Sequence, residues 1–315
     1  MLLGAIKNEL EKLYWKKRIY VLIGVIVFFT VMMMAISYFD KEDITKVDWK
    51  KEYEQQIIQI DRQMELVKPQ SSEYQQLKEQ HDKMQYQLKH DINPEPKGAA
   101  SLATSSISGM FIKIILPILI VIIAADMITG ESSNGTMKSM LVSPAGRTII
   151  LSSKILAALI ISISVMILSD LLTYLSAIPF YGLGSWHDMV VIGTEDFRAI
   201  PMWEYMMYGL ILNILTIATL VSVFILISVL LESISNSIIL SISLIVIGGL
   251  LANLQGKVDA LKYFFILNLD SAAHLTNEFT LKNTSFSISI TVMIVTMIIA
   301  LSIAFTVFNK KDMLV

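Results

Sequence analysis

Six long apolar runs, separated by polar stretches of unequal length, organise this chain: roughly 19–38, 109–128, 153–180, 205–231, 235–254 and 286–308. Each approaches or exceeds the ~20 residues a helix needs to cross the hydrocarbon core of a bilayer. The pattern predicts an all-α integral membrane protein with six membrane-spanning helices. The first run follows Lys16, Lys17 and Arg18 and ends near Ala35-Ile36-Ser37, which mimics a signal-peptide cleavage site. A signal core holds about 7–15 apolar residues, whereas Ile19 to Ile36 is unbroken. The run is expected to remain as the first span, 19–38.

The polar stretches carry their own periods. In residues 2–17, Leu3, Ile6, Leu10 and Leu13 recur at helical spacing, and Lys7, Glu9, Glu11, Lys12 and Lys16 are assigned to the other side. This predicts an amphipathic elbow helix, 1–18, lying in the headgroup layer before the chain enters the bilayer. Between the first two spans, Tyr53, Ile57, Ile60, Met64 and Val67 are spaced as a heptad seam. Tyr74, Leu77, His81, Met84 and Leu88 form a second one. Pro69 ends the first helix, and Ser72 with Gln75 offers a capping box for the second. The expectation is an extracellular coiled-coil hairpin occupying 39–108, with His81 a core histidine rather than a metal ligand. Pro117 should kink the second span, and Gly248-Gly249 should admit a close helix contact in the fifth.

Composition sharpens the class. The chain is 54% hydrophobic and only 17% charged, against about a quarter charged in soluble domains. Its mean hydropathy is +0.63. A formal net charge of −2 implies no attraction to nucleic acid. The absence of cysteine excludes disulfides, thiolate metal sites and cysteine nucleophiles. Orientation follows from Lys and Arg in the short flanks. With the N-terminus inside, Lys7, Lys12, Lys16, Lys17, Arg18, Lys138, Arg147, Lys154, Lys310 and Lys311 face the cytoplasm. Only Arg198, Lys257, Lys262 and Lys282 lie outside. Both termini are expected in the cytoplasm, and 109–315 forms the rest of the membrane domain.

The stretch "TGESSNGTMKSMLVSPAGR", 129–147, nearly spells a phosphate-binding loop. Gly130 and Gly135 have the G-x-x-x-x-G spacing, but Thr136 and Met137 stand where Lys and Ser/Thr would meet phosphate and Mg²⁺. A phosphate loop also follows a buried strand, whereas this stretch follows an apolar helix. It is not expected to bind ATP. It reads as a cytoplasmic connection, 129–152, holding a short helix from Gly135 to Leu141 that Pro144 and Gly146 end. Gly130 and Gly135 would permit turns at its ends, and Glu131 would sit near its start, opposing the helix dipole favourably.

Gly130, Glu131, Gly135, Thr136, Met140, Leu141, Pro144, Arg147 and Lys154 resemble the signature loop of ABC-2 type transporter permeases. Weaker echoes are "LLESISNS" at 230–237, with Glu232 and Ser233 in a second cytoplasmic loop, and "LKYFFILNLDSAAHL" at 261–275, similar to that family's re-entrant region. The resemblance implies a coupling helix docking on a separate ABC ATPase subunit, which holds the ATP and magnesium. It also implies a second permease copy or a related permease, and no catalysis by this chain itself. Met137 and Leu141 would share the docking face. Arg147 and Lys154 would pair with partner carboxylates or anionic headgroups.

Within the spans, Asp170 is an acid in the third apolar run, and such residues face a bundle interior or water. It and Asn213 are candidates for a substrate path, with Asn213 read first as an interhelical hydrogen-bond residue and only second as a ligand; Asp126 and Glu232 are read as interfacial. The implied function is the permease subunit of an exporter in a bacterial cell membrane, moving an amphipathic peptide, drug or lipid outward. The alternative is a peptide-sensing or immunity module without bulk transport.

Overall fold

The apolar runs become helices because a backbone inside hydrocarbon must satisfy its own N–H and C=O groups. The computed structural model describes residues 1–39, 49–69, 71–94, 96–133, 146–193, 196–231, 233–254, 258–276 and 285–310. Ahead of the first span lies α1, Leu2–Trp15. The spanning helices are α2 (Arg18–Phe39), α6 (Leu116–Ser133), α7 (Arg147–Tyr181), α8 (Met202–Leu230), α9 (Ile234–Ala252) and α10 (Phe286–Lys310). Six of the described helical stretches are long and apolar enough to cross a membrane. α6 and α8 form the middle of the bundle; α7 packs on both, α9 and α10 flank them, and α2 is the least buried.

Pro117 has no N–H for the carbonyl four residues back, and the turn ahead of it, Phe111–Ile115, widens into a π-helix. α7 begins six residues before the expected start of the third span, and α6 runs to Ser133. Both helices continue past the ends of their apolar runs, so the expected connection of 129–152 loses residues at each end.

Between the first two spans, α3 (Trp49–Leu66) and α4 (Ser72–Lys89) pack on one another. The N-cap of α4 is Ser71, one residue before the expected Ser72: its Oγ accepts the Tyr74 N–H at 3.1 Å. Ile60 and Met84 are buried between the helices, and His81 contacts Asp61 and Asp82 at 3.3 and 3.0 Å. The hairpin rests on the bundle: the Lys83 ammonium donates to the Thr276 carbonyl, and the Tyr86 and Phe197 rings lie 5.9 Å apart. Ile60→Asp would bury an unpaired carboxylate at a cost of several kcal/mol. Limited proteolysis of the full-length variant in membranes should show new cleavage within 49–89, with insertion intact.

The hairpin segment ends earlier than the expected 108. A short helix α5, Ala99–Ser105, leaves it and wedges between α7 and α8, burying Ala99, Ala100, Ala103 and Thr104. The expected helical membrane fold carries one small addition. Met189–Ile192 (β1) and Arg198–Pro201 (β2) form an antiparallel ribbon with Val190 opposite Ile200 and Val191 opposite Ala199. Val190, Val191, Ile192 and Ile200 are β-branched, which favours such pairing.

Between α9 and α10 the chain makes three 3₁₀ turns, Asp259–Tyr263, Phe265–Asn268 and Ala272–His274. Phe265 to Ala273 is buried throughout. A Cβ on Gly248 would come within 2.1 Å of Ile266 Cγ2. Gly248 lies about 6 Å inside the end of α9 at 1.5 Å per residue, so the segment dips back into the bundle. The close contact expected of Gly248-Gly249 is made by Gly248 with this segment rather than with another helix. A Cβ added to Gly249 would meet nothing within 4 Å.

Candidate functional site

An even number of crossings places α1, the 134–145 connection, the α8–α9 junction and the end of α10 on one face. There α1, the last turn of α6 and the first turns of α7 converge. Leu13 is buried against the bundle, with Ile6 and Leu10 packed beside it. Glu9 points the same way and is 3% exposed. It lies three residues after Ile6 and four before Leu13, so helical spacing puts it on the apolar stripe. The assignment of Glu9 to the polar face is therefore corrected. Lys7 and Glu11, which pair at 3.8 Å, do lie outward.

Glu9 meets three other charges. Lys154 of α7 is fully buried, and its ammonium donates to Glu9 Oε2 at 3.0 Å and Glu131 Oε2 at 2.5 Å. Lys12 donates to the other oxygens of the same acids, Glu9 Oε1 at 2.9 Å and Glu131 Oε1 at 2.8 Å. Two carboxylates and two ammoniums thus form a closed, electrically neutral ring linking three helices. A further pair, Lys16 with Asp126 at 3.4 Å, extends the join along α6. Asp126 is 5% exposed, so it is a buried partner of α1 rather than an interfacial acid.

Burial lowers the Lys12 pKa, but its bonds to Glu131 and Glu9 outweigh this and hold it above the ordinary 10.5. A raised folded-state pKa stabilises fully below the unfolded value and is lost as pH climbs through the folded one. The Lys12 contribution is therefore lost on the alkaline side only above about pH 10, and on the acid side it fades as the carboxylates it bonds to become protonated.

A family profile described as "ABC-2 family transporter protein" matches residues 6–313. The chain belongs to the ABC-2 transporter family. It is also similar over its whole length to the uncharacterized protein YhcI of Bacillus subtilis strain 168, at 22% identity covering 99% of each chain. This ABC-2 family protein is thus a multi-pass membrane protein, and the ring of charges stands where its 134–145 segment joins α6 and α7.

The residues singled out in the sequence are distributed unevenly around that ring. Gly130 and Glu131 lie inside the last turn of α6 rather than at a turn or a helix start, because α6 continues past the apolar run. Gly130 instead allows close packing: an added Cβ would lie 3.1 Å from Asp126 Oδ1 and 3.8 Å from Ile234 of α9. Lys154 is spent on acids of this chain rather than offered to a partner or to headgroups. Arg147, at the start of α7, donates to the Asn309 carbonyl of α10 at 2.8 Å. Ser233 occupies the N-cap position of α9 without a side-chain capping bond, and Ser228 and Ser237 share a hydrogen bond of 2.8 Å across the α8–α9 junction. Gly135, Thr136, Met137, Met140, Leu141, Pro144 and Glu232 lie outside the described residues.

Asp170 and Asn213 are at the other end of the bundle, and both fasten the chain that follows α5. Ser106 donates to Asp170 Oδ1 at 2.9 Å, and Asn213 Nδ2 donates to the Ile107 carbonyl at 2.8 Å. A second acid joins them: Asp270 of the re-entrant turns accepts the Gly109 N–H at 2.9 Å and pairs with Lys113 at 3.0 Å. The sequence carries no signal for the Lys113–Asp270 pair, since the two residues are far apart along the chain and neither belongs to a periodic pattern.

Proposed function

We propose that this chain is the permease subunit of an ABC exporter that moves an amphipathic peptide, drug or lipid out of a bacterial cell. ATP and magnesium are held by a separate ATPase subunit, and two permease subunits enclose the path. In this reading the face carrying α1 and 134–145 is cytoplasmic, α1 is the elbow helix in the headgroup layer, and α3–α4 is extracellular. The observation that carries it is the ring of Glu9, Lys12, Glu131 and Lys154. Force applied by an ATPase to the 134–145 segment enters α6 and α7 where α1 clamps them together. The three helices then move as a unit rather than separately. The family match over 6–313 supports the same assignment.

The test is Met137→Asp combined with Leu141→Asp. Two carboxylates on an apolar docking face should abolish co-purification of an ABC ATPase from native membranes and remove transport-coupled ATP turnover, with membrane insertion unchanged. Wild-type docking in this variant would overturn the reading. The hairpin contacts made by Lys83 and Tyr86 also suit a sensing module. Substrate movement into reconstituted inverted vesicles distinguishes export from sensing.

A further inference from the structure

The 3₁₀ turns between α9 and α10 are buried, so the carbonyls they leave open need donors inside the protein. Different partners hold the two halves of this segment. In the first half, the Thr216 hydroxyl of α8 donates to the Leu269 carbonyl at 2.9 Å, and Asp270 accepts the Gly109 N–H. Those ties belong to the bundle. The end of the segment is held from outside it. The Gly193 N–H, just past β1, donates to the Leu275 carbonyl at 2.9 Å, and the Lys83 ammonium of α4 donates to the Thr276 carbonyl. Thr276 is 5% exposed. The ribbon lies over the same end: Val190, Ile192, Ile200 and Leu275 pack around Ile107, Tyr205 and Ala272. Tyr86, three residues after Lys83 on one face of α4, sets its ring against Phe197 beside β2. Elsewhere the hairpin has little hold, since among the described elements α3 and α4 pack extensively only on each other.

We infer that the α3–α4 hairpin is a strap: Lys83 and Tyr86 hook it over the ribbon and hold residues 275–276 inside the protein, and lifting the hairpin releases that end. A buried carbonyl that loses its donor is costly to leave in place. Withdrawal of the Lys83 ammonium therefore drives the Thr276 backbone toward water. The first half of the segment stays fastened through Leu269 and Asp270, so the release is confined to the last turn. The movement is reversible at small cost, because few contacts join the hairpin to the rest of the chain. The strap thus couples an exposed module to a buried segment, and it depends neither on the substrate carried nor on an ATPase.

Hydrogen exchange of the full-length protein in lipid nanodiscs reads the release directly. Loss of a hydrogen bond from a charged donor should raise an opening equilibrium by about tenfold or more. Lys83→Met combined with Tyr86→Ala should therefore speed exchange in 270–276 by at least that factor, with 286–310 unchanged. Lys83→Arg keeps a charged donor and should stay near wild type. The chain has no cysteine of its own, so Tyr86→Cys and Phe197→Cys can be joined by a short thiol-specific cross-linker. Joined, they should restore protection of 270–276 in the Lys83→Met background; the same protein left unjoined is the control. Exchange in 270–276 unchanged by Lys83→Met with Tyr86→Ala, or raised equally across the spanning helices, would overturn the proposal. So would fast exchange that persists after cross-linking, because the end of the turns would then be free without the hairpin having lifted.

Discussion

Lys154→Met is expected to be among the most damaging single substitutions in this chain, although it removes a charge and adds an apolar side chain to a buried position. Lys154 is fully buried and bonded to Glu9 and Glu131. Without it, the buried carboxylates of Glu9 and Glu131 each lose the cation that bonds to them both. Breaking a buried ion pair by removing one partner costs about 3–5 kcal/mol, chiefly because the remaining charge is left uncompensated. The thermal midpoint of the purified protein should fall on the order of 10 °C. The damage should also be local at first: with α1 released, protease should reach the α1–α2 turn at Lys16 and Lys17 before the bundle unfolds. A second substitution decides the cause. Lys154→Met with Glu9→Gln leaves Lys12 facing Glu131 as a balanced pair, and should recover more than half of the lost midpoint. Recovery is the signature of charge imbalance, since a packing defect at Lys154 would persist in the double variant. A single variant that melts with the wild type would show that the ring does not hold α1 in place. If the ring also transmits force from an ATPase, the double variant should regain stability before it regains transport, because both links from α7, to Glu9 and to Glu131, are still missing.

The spanning helices were legible to within a few residues wherever the apolar run and the helix end together. Thus 286–308 became Phe286–Lys310 and 235–254 became Ile234–Ala252. They were misjudged where a helix outruns the bilayer. Hydropathy reports membrane thickness, and nothing in it forbids Arg147 to Ser153 from continuing α7. The charge ring was partly legible. Both Glu131 and Lys154 stand out in the sequence, but Glu131 as a charge at the start of a short helix and Lys154 as a group facing a partner or headgroups, because a Lys just beyond an apolar run is normally solvated. The spacing of Glu9 from Ile6 and Leu13 contained the missing information. α5 offered no such signal: "AASLATS" has small residues and no apolar period, and only the space between α7 and α8 selects its conformation. The same holds for the three 3₁₀ turns, whose buried residues follow one another without helical or strand alternation.

Gly98→Ala should be as disruptive at the opposite end of the bundle. Gly98 has φ of +138°, a region that L side chains rarely adopt. A Cβ there would stand 2.3 Å from the Gly184 Cα and 2.8 Å from its backbone nitrogen. Both are main-chain atoms, so no rotamer change relieves the contact. The crossing is held by Ala99 N–H to the Gly182 carbonyl at 2.9 Å and Ala100 N–H to the Leu183 carbonyl at 3.2 Å. These bonds seat α5, which brings Ser106 to Asp170. Forcing the two backbones apart removes that donor from a buried carboxylate and loosens the anchor beneath the α3–α4 hairpin. Gly182→Ala is the control: Gly182 also has positive φ, +73°, but nothing lies within 4 Å of an added Cβ. Its cost should stay near the 1–2 kcal/mol of a single left-handed residue. The expected order is therefore Gly98→Ala far below Gly182→Ala, with wild type highest, in the thermal midpoint of the full-length protein in detergent. New protease cleavage between 90 and 110 should appear only in the Gly98 variant. Equal midpoints for the two variants would mean that backbone strain alone sets the cost, and that the chain crossing at Gly184 can open without unseating α5.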